Sequence, residues 1–373
     1  MKILLHIIIL CTTLLLASCA GRTADANQGE AIQVKYASLL RMEQSDSFTV
    51  VNISNPWSAN HLLAQYVLVP QSQPLPHHLP QGTLVRTPLR RAAITSSVHA
   101  ALLLELHAAD AIAAMTDTSY IVADTLKGYL RQHAQQIRYA GQSMSPDLEQ
   151  LRAAQTDAIL VSPFENAGHG ALDRLGIPLI ECADYMETSP LGRAEWMKFY
   201  GMLFGQAERA DSLFAEVEKD YNAIKAQAAK HAQKPTVMCD LRMGNVWYQP
   251  GGNSTMGRLI TDAGGEYLWA DRKESGSLSL DFESVFARAR QADVWIIKYG
   301  QPTDLTYTQM ATDFQPYTQF DAWKARHIYA CNTLRVPYFE ETPFHPERIL
   351  RNFSEIFLGK RPHSTPSYYT PLR

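Results

Sequence analysis

Cysteine is scarce in this chain, with 5 among 373 residues. Cys11 and Cys19 lie near the amino terminus, and long stretches of sequence separate Cys182, Cys239 and Cys331. A disulfide framework or a Cys-x-x-Cys metal site needs cysteines at short, regular spacings. The sequence therefore predicts neither, and the three later cysteines, each at the end of an apolar run, are expected to be buried at strand ends.

Neither sign of charge dominates, because 34 Lys and Arg residues stand against 37 Asp and Glu residues. No stripe of basic residues is present either, and such a stripe is the usual electrostatic footprint of a nucleic-acid-binding protein. We therefore expect no nucleic-acid partner.

The common signatures of enzymes and metal sites are also missing. The sequence has no Gly-x-Ser-x-Gly nucleophile elbow and no His-Glu-x-x-His zinc motif. Its 12 histidines are scattered, without a compact set at metal-ligand spacing. We predict a protein that is not an enzyme, with no catalytic residue, no resident cofactor and no metal site.

The one long apolar run lies at the amino terminus, over residues 3–16, after Lys2. A basic residue, about 14 mostly apolar residues and small residues before a cut site are typical of an export signal. A helix that spans a bilayer needs about 20 apolar residues. Leu16-Ala17-Ser18-Cys19 resembles the lipobox of bacterial lipoproteins. That resemblance implies removal of residues 1–18, lipidation of Cys19, and a periplasmic protein anchored to the inner or the outer membrane.

The mature chain of roughly 355 residues is long enough for two domains. After a lipid-anchored tether at 19–31, alternating apolar segments predict a β-rich extension at 32–84. From residue 85, short apolar runs alternate with helical patterns, which is typical of α/β lobes with parallel sheets.

A long helix divides this α/β region. Apolar residues recur at helical spacing over 206–232, and no Gly or Pro interrupts them. A helix of some 25 residues is roughly 37 Å long, so it can join an N-terminal lobe at 85–205 to a C-terminal lobe at 233–373. The predicted fold class is α/β, with two parallel-sheet lobes joined by this helix and a β-rich N-terminal extension.

The two lobes contain a matching segment. Ser145-Pro146-Asp147-Leu148-Glu149 and Ser279-Leu280-Asp281-Phe282-Glu283 each precede a predicted helix and a buried strand. The aspartates suit helix N-caps, and the glutamates fall in the first helical turn. Acidic residues favour helix N-termini in general, which explains one glutamate well but a matched pair less well.

Aromatic residues follow several predicted strands. In open α/β sheets, ligands bind beyond the carboxyl ends of the strands. An aromatic-lined cleft there suits a large, flat or partly apolar ligand, and an arginine could pair with an anionic group. Core or interlobe packing is the alternative role for each aromatic. The candidate ligand-binding residues are Tyr120, Phe164, Tyr185, Arg242, Trp247, Tyr248, Tyr299, Tyr338 and Phe339.

Several segments of the chain resemble the class III periplasmic substrate-binding proteins of ABC importers, which bind iron complexes and vitamin B12. The resemblance covers roughly residues 85–358. The segments that carry it are 90–114, 141–160, the Leu175-Gly176-Ile177-Pro178 turn, 184–196, the long helix, 247–252 and 338–347. The resemblance implies that the cargo is a ferric siderophore, haem or a corrinoid, bound between the lobes. It also implies a monomer that docks on the transmembrane subunits of an ABC permease through Glu149 and Glu283.

The sequence does not favour an iron complex over cobalamin as the cargo. Haem would need an axial ligand, such as Tyr338 or His345. Two other functions are open. A bare-metal binder for zinc or manganese would need three or four His, Asp or Glu side chains converging at the cleft. A chelatase-like enzyme of the same shape would need an acid–base pair there, and the export signal argues against it.

Overall fold

The computed structural model describes residues 29–360, 362 and 367–373. The predicted signal 1–18 and the predicted lipidation site Cys19 lie outside these residues. The strands are β1 (Glu30–Ile32), β2 (Leu40–Gln44), β3 (Thr49–Ser54), β4 (Leu62–Pro70), β5 (Thr83–Thr87), β6 (Ala92–Ile94), β7 (Ile112–Met115), β8 (Arg138–Tyr139), β9 (Gly141–Gln142), β10 (Ser145–Pro146), β11 (Ala158–Val161), β12 (Leu179–Glu181), β13 (Thr236–Cys239), β14 (Arg242–Met243), β15 (Val246–Pro250), β16 (Glu266–Tyr267), β17 (Ser277–Leu280), β18 (Val294–Tyr299), β19 (Ile328–Asn332) and β20 (Thr370–Pro371).

Twelve α-helices lie in the described part of the chain. They are α1 (Ser97–Glu105), α2 (Asp124–Gln132), α3 (Leu148–Ala153), α4 (Pro190–Glu195), α5 (Met197–Leu203), α6 (Ala207–Ala228), α7 (Thr255–Asp262), α8 (Phe282–Ala289), α9 (Tyr307–Asp313), α10 (Asp321–Lys324), α11 (Tyr338–Glu341) and α12 (Pro346–Phe357).

The β-rich extension is a sheet in which β1 to β5 lie in chain order. Strands β1 to β4 pair antiparallel, and β5 pairs parallel to β4. Along β3 the buried side chains alternate with half-buried ones, as expected for a strand with one face on a core. The sheet begins at Glu30, inside the predicted tether, and continues to Thr87, beyond the predicted boundary at 84, because β5 pairs with β4.

Two buried glutamates of the segment that contains α4 hold the extension in place. The carboxylate of Glu195 accepts the backbone N–H groups of residues 35–37 at 2.6–3.0 Å. The carboxylate of Glu187 accepts those of residues 38 and 39 at 2.9 Å. Several charge-assisted hydrogen bonds compensate the burial of each carboxylate. The extension is therefore fixed to the lobe that follows it.

The N-terminal lobe is built on a parallel sheet with the order β12-β11-β6-β7-β8. The C-terminal lobe has the order β16-β13-β18-β19-β20, in which β20 alone is antiparallel. Helix α6 joins the lobes over 22 residues and buries one stripe of apolar side chains at helical spacing. The predicted fold class is confirmed, although α6 ends at Ala228, before the predicted end at 232.

Buried side chains of the extension, both lobes and α6 form one continuous core. Cys182, Cys239 and Cys331 are free and buried in it, directly after or inside strands β12, β13 and β19. The prediction of buried cysteines at strand ends is confirmed.

We expect Glu195→Ala to loosen the extension. The change removes the acceptor of three partly buried backbone N–H groups, and an unsatisfied donor costs about 1–3 kcal/mol when it is fully buried. Because water can reach these groups in part, the free energy of unfolding should fall by about 1–3 kcal/mol in total, as measured by urea titration. Glu216→Ala, at an exposed position of α6, should have little effect. Equal stability of the two variants would contradict the role of Glu195.

Candidate ligand-binding cleft

The carboxyl ends of strands from both lobes meet at one cavity of about 330 Å³. Tyr185 follows β12 in the N-terminal lobe, Asp240 follows β13, and Lys298 lies near the end of β18. Tyr338 and Phe339 begin the helix that follows β19. This is the position at which open α/β sheets bind ligands. We call it the interlobe cavity.

The remaining wall of the interlobe cavity is of mixed polarity. Helix α4 contributes Pro190 and Arg193, and the start of α7 contributes Ser254, Thr255 and Met256. The other lining residues are Pro250, Leu259, Ser275, Gly276, Ser277, Thr342, Pro343, Pro346 and Ile349. The wall therefore offers a ligand both apolar surface and several polar or charged groups.

A carboxyl and an ammonium group face the cavity from the C-terminal lobe. Oδ1 of Asp240 accepts the backbone N–H of Lys298 at 3.2 Å, and burial raises the pKa of Asp240. The Nζ of Lys298 lies 5.2 Å from the ring centre of Tyr338 and 5.9 Å from that of Phe339. Interaction with Tyr338 and with Asp240 raises the pKa of Lys298 although burial opposes it. Lys298 is therefore positively charged at neutral pH.

A buried network positions Arg193 on the opposite wall. Its Nε donates to Oδ2 of Asp184 at 3.1 Å. Oδ1 of Asp184 lies 2.9 Å from Nε2 of His99 and accepts the Tyr200 hydroxyl at 2.8 Å. Burial disfavours the charged form of Asp184, but His99 and Arg193 bring its pKa down to about 2. Burial likewise lowers the pKa of His99, but Cys182 and Asp184 raise it overall to about 10.

The structure brings together three of the predicted ligand-binding residues, namely Tyr185, Tyr338 and Phe339. Phe164 lines a second cavity of about 450 Å³ in the N-terminal lobe. Tyr299 lines a third cavity, of about 190 Å³, together with the carboxy-terminal residues. These five predicted aromatics are therefore divided among three cavities.

Trp247 is a core residue and not a cleft residue. Its side chain is fully buried, and its Nε1 donates to the Cys239 carbonyl at 3.0 Å. It packs against the rings of Trp295, Tyr317 and Phe320. The aromatic pattern after β13 therefore reflects packing of the C-terminal lobe.

Three further predicted residues lie outside these three cavities. Tyr120 is 65% exposed and Tyr248 is 41% exposed. The guanidinium of Arg242 lies 4.0 Å from the ring centre of Phe314, a cation–π contact away from the interlobe cavity. The arginine that faces the cavity is Arg193.

Arg193, Asp240 and Lys298 also line the interlobe cavity, although the pattern of aromatics after strands does not predict them. Asp240 directly follows β13, so it satisfies the rule that ligand-binding residues come after strands. It is not predicted because the candidates after strands were mainly aromatic residues. Lys298 is a single charge in an otherwise apolar strand, which is a signal of its own. Arg193 lies on a helix, and its neighbour Asp184 was not predictable from spacing.

The matching segments each start a helix with an aspartate cap. Asp147 caps α3 and Asp281 caps α8 through bonds to backbone N–H groups, which confirms both predicted N-caps. Glu149 and Glu283 lie in the first turns and are exposed. Each helix runs antiparallel to the strand that follows it, so its first turn lies towards the carboxyl ends of the strands.

His345 links the two lobes beside the cavity. Its Nδ1 lies 3.0 Å from Oε1 of Glu347, and its Nε2 bonds Glu105 at the end of α1. Burial lowers the pKa of His345, but the bonds to both glutamates raise it overall to about 9. A second link is the Val122 N–H, which donates to Glu340 of α11 at 2.7 Å. Because both ring nitrogens of His345 are used, it is not available as an axial haem ligand.

We expect His345→Gln to remove a pH-dependent part of the stability. A histidine with a pKa of 6.5 when unfolded and about 9 when folded stabilises the protein fully below pH 6.5. That stabilisation is lost as the pH rises through 9. The wild-type should lose up to about 3 kcal/mol of unfolding free energy across this window, and the variant should lose less.

Urea unfolding at constant ionic strength across that window measures the difference. His327→Gln, at an exposed position, should retain the wild-type slope. An unchanged slope in the His345→Gln variant would contradict the assigned role of the histidine.

Residues 29–360, 362 and 367–373 contain no group of three or more His, Cys, Asp or Glu side chains placed to hold a metal ion. No helix in the same residues is both long and apolar enough to cross a membrane.

The chain belongs to the periplasmic binding protein family. The model of that family matches residues 92–333, a range that includes strands of both parallel sheets and the linking helix. The resemblance to class III substrate-binding proteins of ABC importers is thereby confirmed.

Solved structures of such proteins share the fold of this chain at low sequence identity. An ABC-type Fe³⁺-hydroxamate transport protein from Saccharomonospora viridis has a TM-score of 0.56 and 18% identity, and the match covers 72% of this chain and 93% of that one. IsdE of S. aureus complexed with heme has a TM-score of 0.54 and 17% identity, and the match covers 72% of this chain and 98% of that one. The vitamin B12 binding protein BtuF of Vibrio cholerae has a TM-score of 0.53 and 12% identity, and the match covers 73% of this chain and 97% of that one.

Curated relatives match part of the chain. An uncharacterized lipoprotein of Methanocaldococcus jannaschii is 26% identical over 194 residues, which are 51% of this chain and 45% of that protein. The chain spans less than half the length of the curated relatives it matches.

Proposed function

We propose that the protein binds an iron complex, either a ferric siderophore or haem, or a cobalamin, and delivers it to an ABC permease. The observation that carries the proposal is the interlobe cavity, where residues from both lobes meet at the carboxyl ends of their strands. The structural neighbours include a protein of a ferric hydroxamate transport system, a heme complex and a vitamin B12 binding protein. The cargo is bound and released without chemical conversion, so the protein acts as a binding protein and not as an enzyme.

The protein would work as a monomer in the periplasm, held to a membrane by lipid on Cys19. The support is the lipobox-like sequence and the description of one relative as a lipoprotein. A lipid anchor raises the effective concentration of a protein at partners in the same membrane.

Glu149 and Glu283 would dock the two lobes on the transmembrane subunits of the permease. Both carboxylates are exposed in first helical turns, one in each lobe. Basic residues on the permease would complement them, and such charge pairs set orientation and association rate more than affinity.

The alternative of a bare-metal binder has no supporting observation in the described part of the chain, where no suitable ligand cluster occurs. A chelatase-like enzyme would need an acid–base pair in the cleft. Asp240 and Lys298 are titratable groups of the interlobe cavity, so a binding experiment should also test for turnover.

A titration with ferrichrome, ferric citrate, haemin and cyanocobalamin tests the proposed cargo. We expect one of these compounds to bind with one-to-one stoichiometry, measured by calorimetry, and to be recovered with an unchanged absorption spectrum. Binding of none would overturn the cargo class. Recovery of a demetallated product would favour the chelatase alternative.

The double change Glu149→Arg and Glu283→Arg tests docking. We expect uptake of the identified cargo by cells to fall at least tenfold, because like charges would face the permease, at a cost of about 1.4 kcal/mol or more. Affinity for the cargo should stay within about twofold, since neither residue lines the interlobe cavity. Glu216→Arg on α6 is the matched control, and normal uptake by the double variant would refute the docking role.

A further inference from the structure

Lys298 is the least satisfied charged group of the interlobe cavity. An ammonium group has three N–H donors and no acceptor. Its Nζ makes no hydrogen bond or ion pair with any residue that the structure describes, and its close contacts are the ring faces of Tyr338 and Phe339. Donors that are left unpaired in a partly enclosed site cost free energy. An acceptor group that enters the cavity would therefore be stabilised at this position.

Arg193 supplies a second set of donors from the other lobe. Only its Nε is used, on Asp184. Among the described residues, its two terminal nitrogens have no hydrogen-bond partner. The bonds of Asp184 to His99 and Tyr200 fix the carboxylate, so the guanidinium is held before a ligand arrives. A planar guanidinium suits a carboxylate, which can accept two parallel hydrogen bonds.

Among the described residues that line the cavity, the cationic side chains outnumber the carboxyl groups. Asp240 is the single acidic residue among them, and burial raises its pKa although Lys298 opposes this rise. One of its oxygens already accepts the backbone N–H of Lys298. The other polar lining residues are neutral.

The start of α7 adds to the positive potential. Ser254, Thr255 and Met256 at this helix end line the same cavity, and the N-terminus of a helix carries a partial positive charge. Two cationic side chains and a helix N-terminus therefore face one space of about 330 Å³.

We propose that the interlobe cavity binds the carboxylate part of an anionic ligand, with Lys298 and Arg193 as its two donors. Tyr185, Met256 and Phe339 contact the apolar or planar remainder of the ligand. The inference rests on the proposed function for the identity of that remainder. It favours carboxylate-bearing cargo, such as ferric citrate or haem with its propionates, over an uncharged hydroxamate complex or cobalamin.

The first test uses an anion alone. Citrate should raise the melting temperature of the purified full chain in detergent at constant ionic strength, and uncharged trimethyl citrate should not. Ferric citrate should then bind at least tenfold more tightly than uncharged ferrichrome, which is 1.4 kcal/mol or more. No response of the wild-type protein to citrate would overturn the inference.

Variants of one residue assign the effect to the cavity. Lys298→Met should abolish the shift with citrate and weaken ferric citrate binding about tenfold. Lys298→Arg keeps the charge and should retain the shift. Lys219→Met, at an exposed position of α6, is the control and should behave as wild-type. A full citrate response in Lys298→Met would overturn the assignment.

The two proposals fail in different ways. If no metal complex binds but citrate still raises the melting temperature in a way that depends on Lys298, the carboxylate site at Lys298 and Arg193 is supported and the proposed cargo class is refuted. If a metal complex binds with no preference for carboxylates and without dependence on Lys298, the proposed function is supported and the carboxylate site at Lys298 and Arg193 is refuted.

Discussion

Three buried carboxylates in the short stretch 184–195 determine how the parts of this protein fit together. A buried carboxylate needs several hydrogen bonds to offset its loss of hydration, and each of these three finds them in a different direction. Glu187 and Glu195 accept hydrogen bonds from backbone N–H groups of the extension. Asp184 is hydrogen-bonded instead to the side chains of His99, Tyr200 and Arg193. The same stretch therefore joins the extension to the N-terminal lobe and orients a cationic group at the interlobe cavity.

The junction between the lobes is held by polar contacts as well as by the linking helix. His345 and Glu340 of the C-terminal lobe bond Glu105 and the backbone of Val122 in the N-terminal lobe. Helix α11, which contains Glu340, begins with Tyr338 and Phe339 of the cavity wall. A change in the spacing of the lobes would therefore alter the wall of the cavity and these bonds together. This coupling favours a site that is formed before the ligand arrives.

The sequence predicted the fold better than it predicted the site. The long helix and both capped helix starts follow from apolar periodicity and local capping, which depend on neighbours along the chain. The cavity depends on contacts between distant segments. Trp247 is an aromatic that follows a strand, yet it lies in the core because β15 turns it towards β13. Arg193 lines the cavity because its bond to Asp184 holds it there. Neither fact is encoded in residue spacing.

The attachment of the extension has a mechanical consequence. Its backbone is bonded to Glu187 and Glu195, and Tyr36 bonds Glu218 of the linking helix at 2.6 Å. A restraint on the amino terminus is therefore transmitted to the N-terminal lobe and to the linking helix first. With that end held, any change in the spacing of the lobes would displace the C-terminal lobe relative to the membrane more than the N-terminal lobe.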